Sequence, residues 1–117
     1  MQFDTFSMVL LVGRADAPPE ASSDEVQDAH LAHLADLQES GEMLAAGPVS
    51  GEGDVRIRGL CLFAVDAARA TALMAEDPAV RAGRFDVQVL PWHVPAGALT
   101  AGRGRLPRSI ADVRSDG

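Results

Sequence analysis

Apolar and polar positions alternate with a period of two from Phe3 to Gly13, setting Phe6, Met8, Leu10 and Val12 on one face and Ser7, Val9 and Leu11 on the other. The pattern predicts a strand whose two faces are both largely apolar. Residues Arg14 to Ser23 break it with Pro18-Pro19 and read as a loop. Ser22 is the expected N-cap of a helix, with Glu25 three residues on as its capping-box partner, and the helix runs to about Ser40, where Gly41 ends it. Strands are predicted over Glu42 to Val49 and Arg56 to Val65, and Gly51, Gly53 and Asp54 between them predict a hairpin turn. Asp66 is expected to cap a second helix that carries Ala70, Leu73 and Met74 and reaches about Glu76. Asp77-Pro78 then opens one short turn that Gly83 stops. A fourth strand, Arg84 to Val94, alternates Phe85, Val87 and Val89 against Asp86, Gln88, Leu90 and Trp92.

The order βαββαβ points to an α+β fold, the ferredoxin-like sandwich of one antiparallel sheet with two helices on one side. Residues 1–97 are expected to form that domain and residues 98–117 a C-terminal tail or arm. The third strand is apolar on both faces, with Ile57, Cys61, Phe63 and Val65 on one and Leu60, Leu62 and Ala64 on the other. Helices can cover only one face, so a homodimer packed sheet on sheet is expected to cover the second. In the tail, Ser109 is expected to cap a turn, and Leu106, Ile110 and Val113 are expected to dock the arm onto the body.

Composition narrows the function classes. With 117 residues and 47% apolar content the chain can bury a single core, which excludes a disordered polymer. No run approaches the ~18 apolar residues of a membrane span, and the N-terminus lacks a basic start and a small-residue cleavage site, so a soluble cytoplasmic protein is expected. All ten basic residues are arginine, which excludes Schiff-base lysine chemistry and the phosphate-gripping lysine of a P-loop. A net charge of −7 argues against nucleic acid as a partner. Residues 98–117 hold four arginines and two aspartates, a local +2, which leaves −9 on residues 1–97. Such a field repels anions at long range, although a local arginine can still bind a carboxylate.

Few residues remain as candidates for chemistry. Cys61, the lone cysteine, lies in an apolar run and is expected to act as a small hydrophobe. At about 100° per residue, Val26, Leu34 and Leu37 fall within about 40° of His30, which centres that histidine on the core-facing stripe. There it is either a core histidine satisfied by a backbone carbonyl or one facing a pocket, with a carboxylate fixing its tautomer. Asp77 is an N-cap by position, and its second oxygen stays free for an imidazole N–H. His33 could share a metal with His30, but the only third ligand nearby, Asp36, projects toward solvent, so no metal is expected. His93 reads as a structural or rim residue, and Gly51-Glu52-Gly53 as a turn rather than a phosphate cradle.

Three blocks in order, His30-Leu31 with Leu34, Gly41-Glu42-Met43-Leu44-Ala45-Ala46-Gly47-Pro48 and Asp77-Pro78-Ala79-Val80-Arg81-Ala82-Gly83, followed by Pro91-Trp92, resemble the YciI-like (YCII-related) proteins over about positions 5–97. The resemblance implies a ferredoxin-like fold, a homodimer of the dimeric α/β-barrel type and an active site on a His–Asp pair matching His30 and Asp77. It also implies cofactor-independent acid–base chemistry on small ring compounds, because the family is similar in fold to muconolactone isomerases and includes a dehydrochlorinase of a chlorinated hydroxyquinol. The expected enzyme is therefore a lyase or isomerase without metal or organic cofactor. His30 and Asp77 are the expected catalytic residues and Gly47 and Pro48 the expected substrate-binding positions, with backbone N–H groups near Gly47 meeting developing negative charge. The competing expectations are a non-catalytic dimeric domain that binds a small molecule, and a cofactor-free oxygenase.

Overall fold

The sheet is built around its first strand. In the computed structural model, which describes residues 1–51 and 56–115, β1 (Phe3–Gly13) pairs antiparallel with both β3 (Ile57–Phe63) and β4 (Phe85–Pro95), and β2 (Met43–Pro48) pairs with β3. The resulting order, β2-β3-β1-β4, is that of a ferredoxin-like α+β sandwich. Helices α1 (Asp24–Glu39), α2 (Ala67–Ala75), α3 (Pro78–Arg81) and α4 (Ile110–Arg114) complete it, with a 3-10 turn at Pro19–Ser22. The expected β2–β3 hairpin forms; its turn, beyond Gly51, lies outside the described residues.

The alternation sorts the two sheet faces as expected. Val9, Leu11, Cys61 and Phe63 pack with Leu34, Leu37, Leu73 and Met74 in one core. Burying one such side chain as fully as Phe63 contributes about 1.5–3 kcal/mol. On the opposite face Met8 stands between Leu62 and Leu90, Leu10 beside Leu60 and Phe6 beside Trp92. Leu60, Leu90 and Trp92 there are each more than one third exposed in the single chain.

One boundary differs from expectation. Ser23, not Ser22, caps α1, its hydroxyl accepting the Val26 N–H at 3.2 Å. Pro18 and Pro19 favour a tight turn first, and this turn takes in Ser22 and moves the cap one residue on. Glu25 then sits only two residues past the cap and cannot close the expected capping box. The other caps lie where expected: Asp66 accepts from Arg69, Asp77 from Val80 and Ser109 from Asp112. Gly41 and Gly83 end their helices at φ of 83° and 86°, which a side chain would strain.

The tail lies along α1. Gln38 grips it twice, accepting the Leu106 N–H at 2.8 Å and donating to the Gly104 carbonyl at 2.9 Å. Arg108 donates to Asp36 at 2.8 Å and to Glu39 at 2.7 Å, and the Ile110 N–H donates to Asp28 at 2.8 Å. Leu106 packs against the core, but Val113 is 60% exposed and does not serve as the expected anchor. Hydrogen bonds from Arg108 and from the Ile110 N–H to carboxylates of α1 hold this segment instead.

Candidate active site

Two helix caps bring the central pair together. The Ser23 cap fixes the phase of α1 so that His30 shares its buried face with Leu34 and Leu37. The Asp77 cap fixes the start of α3 beside it. His30 is 7% exposed and Asp77 fully buried, and Nδ1 of His30 lies 2.8 Å from Oδ1 and 3.0 Å from Oδ2 of Asp77. Oδ2 also accepts the Val80 N–H at 3.1 Å, so the carboxylate caps the turn and holds the imidazole at once. A carboxylate can only accept, which assigns the proton of a neutral ring to Nδ1 and leaves the lone pair on Nε2. Among the described residues no buried side-chain nitrogen or oxygen lacks a partner, and none hydrogen-bonds to Nε2. Nε2 therefore reaches open space. The ring is braced by Phe85, tilted at 51° with centroids 5.9 Å apart.

That space is a cavity of about 810 Å3 between α1, the sheet and the tail, which is ample for a single-ring compound. Leu11, Leu34 and Cys61 form apolar wall, and Leu106, Pro107 and Val113 of the tail close one side. Burial pushes the Cys61 thiol up to about 12, aided by the negative charge of Asp77, so the sulfur stays protonated and is no nucleophile.

Gly47 and Pro48 line the same cavity. Proline has no N–H, and the ladder, in which the Val49 N–H donates to the Arg58 carbonyl, sets Gly47 opposite Leu60 with its N–H turned into the sheet. Side-chain donors line the cavity as well. Arg14, Arg56, Arg58 and Arg84 all line it, and no motif or periodicity in the sequence marks any of them. Arg84 is half-buried, donates to Gln27 and stands 4.8 Å over the Phe85 ring. Burial lowers its pKa, and the charge of Asp77 opposes that shift. Arg14 is clamped by Asp16 and further drawn by Asp86.

The other candidates lie apart. His33 sends Nε2 to the Leu73 carbonyl at 3.0 Å and ties α1 to α2, away from its supposed metal partner His30. His93 pairs with Thr5 across the strands at 3.0 Å, exposed.

A family model described as the YCII-related domain matches residues 7–93. No curated protein matches the sequence. Among solved structures, the chain is similar to 5-chloro-2-hydroxyhydroquinone dehydrochlorinase of Burkholderia phenoliruptrix AC1100 in complex with 2,5-dihydroxybenzoquinone. The two are 21% identical with a TM-score of 0.51, over 74% of this chain and 92% of the other, a likeness of fold.

Proposed function

Because this chain belongs to the YCII-related domain family, we propose that it is a cofactor-independent lyase or isomerase in which His30 moves a proton on a small ring compound and Asp77 orients and charge-stabilises the imidazole. The observation that carries this reading is the buried His30–Asp77 hydrogen bond, which leaves Nε2 facing a cavity of ring-compound size. Nε2 takes a proton from a ring carbon or hydroxyl, and the imidazolium that forms is held by the carboxylate. The released electron pair either expels a leaving group from the neighbouring carbon, as in a dehydrochlorination, or is reprotonated by the same imidazolium at another carbon, as in a lactone isomerisation. The similarity in fold to a dehydrochlorinase favours the first outcome. The working unit is a homodimer of the dimeric α/β-barrel type, packed through the outer sheet face that carries Leu60, Leu90 and Trp92.

Hydroxyquinols, muconolactones and their halogenated analogues, screened with the protein and followed by NMR, test the reading. At least one should turn over, and His30→Ala should lower that turnover about 100-fold or more. Full activity in the variant would sink the assignment. Ligand binding with no turnover on any of them, and loss of affinity alone in His30→Ala, would favour a non-catalytic binding domain.

A further inference from the structure

The cavity's charge runs opposite to that of the chain. Seventeen acidic residues face ten arginines in the sequence, yet four arginines and no aspartate or glutamate line the cavity among the described residues. The four are not equivalent. Arg14 is neutralised by Asp16 at 2.8 Å and Asp86 at 3.6 Å. Arg58 and Arg84 form no ion pair with any described residue.

Both are aimed by local structure. The β1–β3 register slips between Leu11 and Val12, which pair with Gly59 and Ile57, so Arg58 is the extra residue of a β-bulge. Bulges turn a side chain out of the alternating pattern, and this one lays Arg58 over Gly13, where an added Cβ would stand 3.4 Å from its Cγ and Nε. Arg84 is positioned by Gln27, one turn before His30 on α1, and by Phe85, the residue that also braces the His30 ring. A half-buried guanidinium stacked on an aromatic ring, one N–H satisfied by a neutral amide and no carboxylate against it, retains its charge and further donors for a ligand.

From this arrangement we infer that the cavity takes an anionic ring compound, one bearing a carboxylate that Arg58 and Arg84 bind while the ring lies against His30 and Phe85. The inference deepens the proposed function by naming the substrate class and rests on it only in placing binding and chemistry in one cavity. Guanidinium groups match the planar, bidentate geometry of a carboxylate. The same groups meet the charge that develops when a proton leaves a neighbouring ring carbon, a duty the Gly47 backbone does not serve from within its ladder. The −9 body repels anions at a distance, so selection acts inside the cavity and not through long-range steering.

Calorimetric titration of the full chain with 2,4-dihydroxybenzoate and its neutral isostere 2,4-dihydroxybenzamide tests the inference. The benzoate should bind about 10-fold or more tightly than the benzamide, as one charge-assisted contact provides. Arg58→Gln, whose side chain is exposed and outside the core, should cut that preference several-fold, and Arg58→Gln with Arg84→Gln should abolish it, whereas Arg81→Gln, exposed and not part of the cavity lining, should leave it intact. His30→Gln should keep the preference, which separates anion binding from the acid–base assignment: turnover can fail while charge selection stands, and the reverse. Equal binding of the two probes, no binding of either, an unchanged preference in the double variant, or displacement of the benzoate by equimolar inorganic phosphate would each overturn the carboxylate reading.

Discussion

Replacing Asp77 by Asn separates the two duties of one carboxylate. The wild-type oxygens accept from two donors, the His30 Nδ1–H and the Val80 N–H. An amide offers one acceptor and one donor group in the same space. If its oxygen stays on Val80, the NH2 faces Nδ1 and forces the proton to Nε2, so the cavity loses its base. If the oxygen turns to Nδ1, the NH2 meets the Val80 N–H and the cap is lost. A hydrogen bond to a charged group contributes about 1.5–3 kcal/mol and a neutral one about 1 kcal/mol, so the first arrangement costs about 1–2 kcal/mol; the second loses the cap, typically about 1 kcal/mol. At about 4 °C per kcal/mol for a chain of this size, the melting temperature should fall by about 4–8 °C. Asp77→Ala leaves both donors buried without acceptors and should cost about 2–6 kcal/mol. Circular-dichroism melts of both variants, with a His30→Gln, Asp77→Asn double-mutant cycle, measure the coupling, and turnover or probe binding is read on the same samples. Asp77→Asn should lose activity while still folded at 25 °C. An unshifted melt with full turnover, or energies that simply add in the cycle, would refute the coupling.

On the outer sheet face, Leu60→Asp combined with Leu90→Asp should convert the expected homodimer to monomer in sedimentation velocity; a wild-type monomer at micromolar concentration would remove the dimer from the reading. Cys61 should resist iodoacetamide in the folded protein and react once urea exposes it. Its thiol is raised from 9.0 to about 12 on folding, so above pH 9 the unfolded chain releases a proton that the folded chain keeps. Stability should therefore fall as pH rises from about 9 to about 12. Cys61→Ala should flatten that alkaline slope whatever it costs in packing, and an equal slope in both proteins would contradict the assignment. Deleting residues 98–117 should weaken probe binding by opening the wall formed by Leu106 and Pro107. Because exposed ion pairs such as Arg108–Glu39 contribute about 0–1 kcal/mol each, Arg108→Ala alone should matter little; undiminished binding in the truncated chain would show the tail to be dispensable.

The parts of the fold legible in the sequence were those set by short-range rules. Period-two alternation marks the first, third and fourth strands, the glycine-rich turn sets off the second, and the Asp77-Pro78 dipeptide marks a helix start because proline at the first helical position forfeits no hydrogen bond. Helical geometry alone put His30 on the buried face. The structure also joins His30 to Asp77, 47 residues on in the chain, a contact that the family resemblance implies and spacing does not. The Ser22–Ser23 shift shows the resolution of such rules: two adjacent serines are separated only by how the preceding prolines turn. The arginines were illegible for a different reason. Arg58 faces the cavity through a bulge that depends on how β3 registers against β1, and Arg84 through a contact with Gln27, 57 residues away. Neither leaves a periodic trace. His33 was similarly open, since the Leu73 carbonyl that satisfies it belongs to another helix.

The segment that closes the cavity has a separate origin along the chain. The family match ends at residue 93, whereas Leu106, Pro107 and Val113 contribute wall from beyond it, held chiefly by the two Gln38 hydrogen bonds and by Leu106 against the core. The buried pair and the enclosure are thus encoded in different stretches: His30 and Asp77 lie within the matched region, and part of the cavity wall lies outside it. Substitutions, insertions or wholesale exchange after Pro95 can reshape what fits without disturbing the imidazole, its carboxylate or the turn that carries them. A scaffold divided in this way can keep the His30–Asp77 pair constant while the shape of the cavity drifts, which makes residues 98–115 the natural place to graft or randomise when a different ligand is to be accommodated.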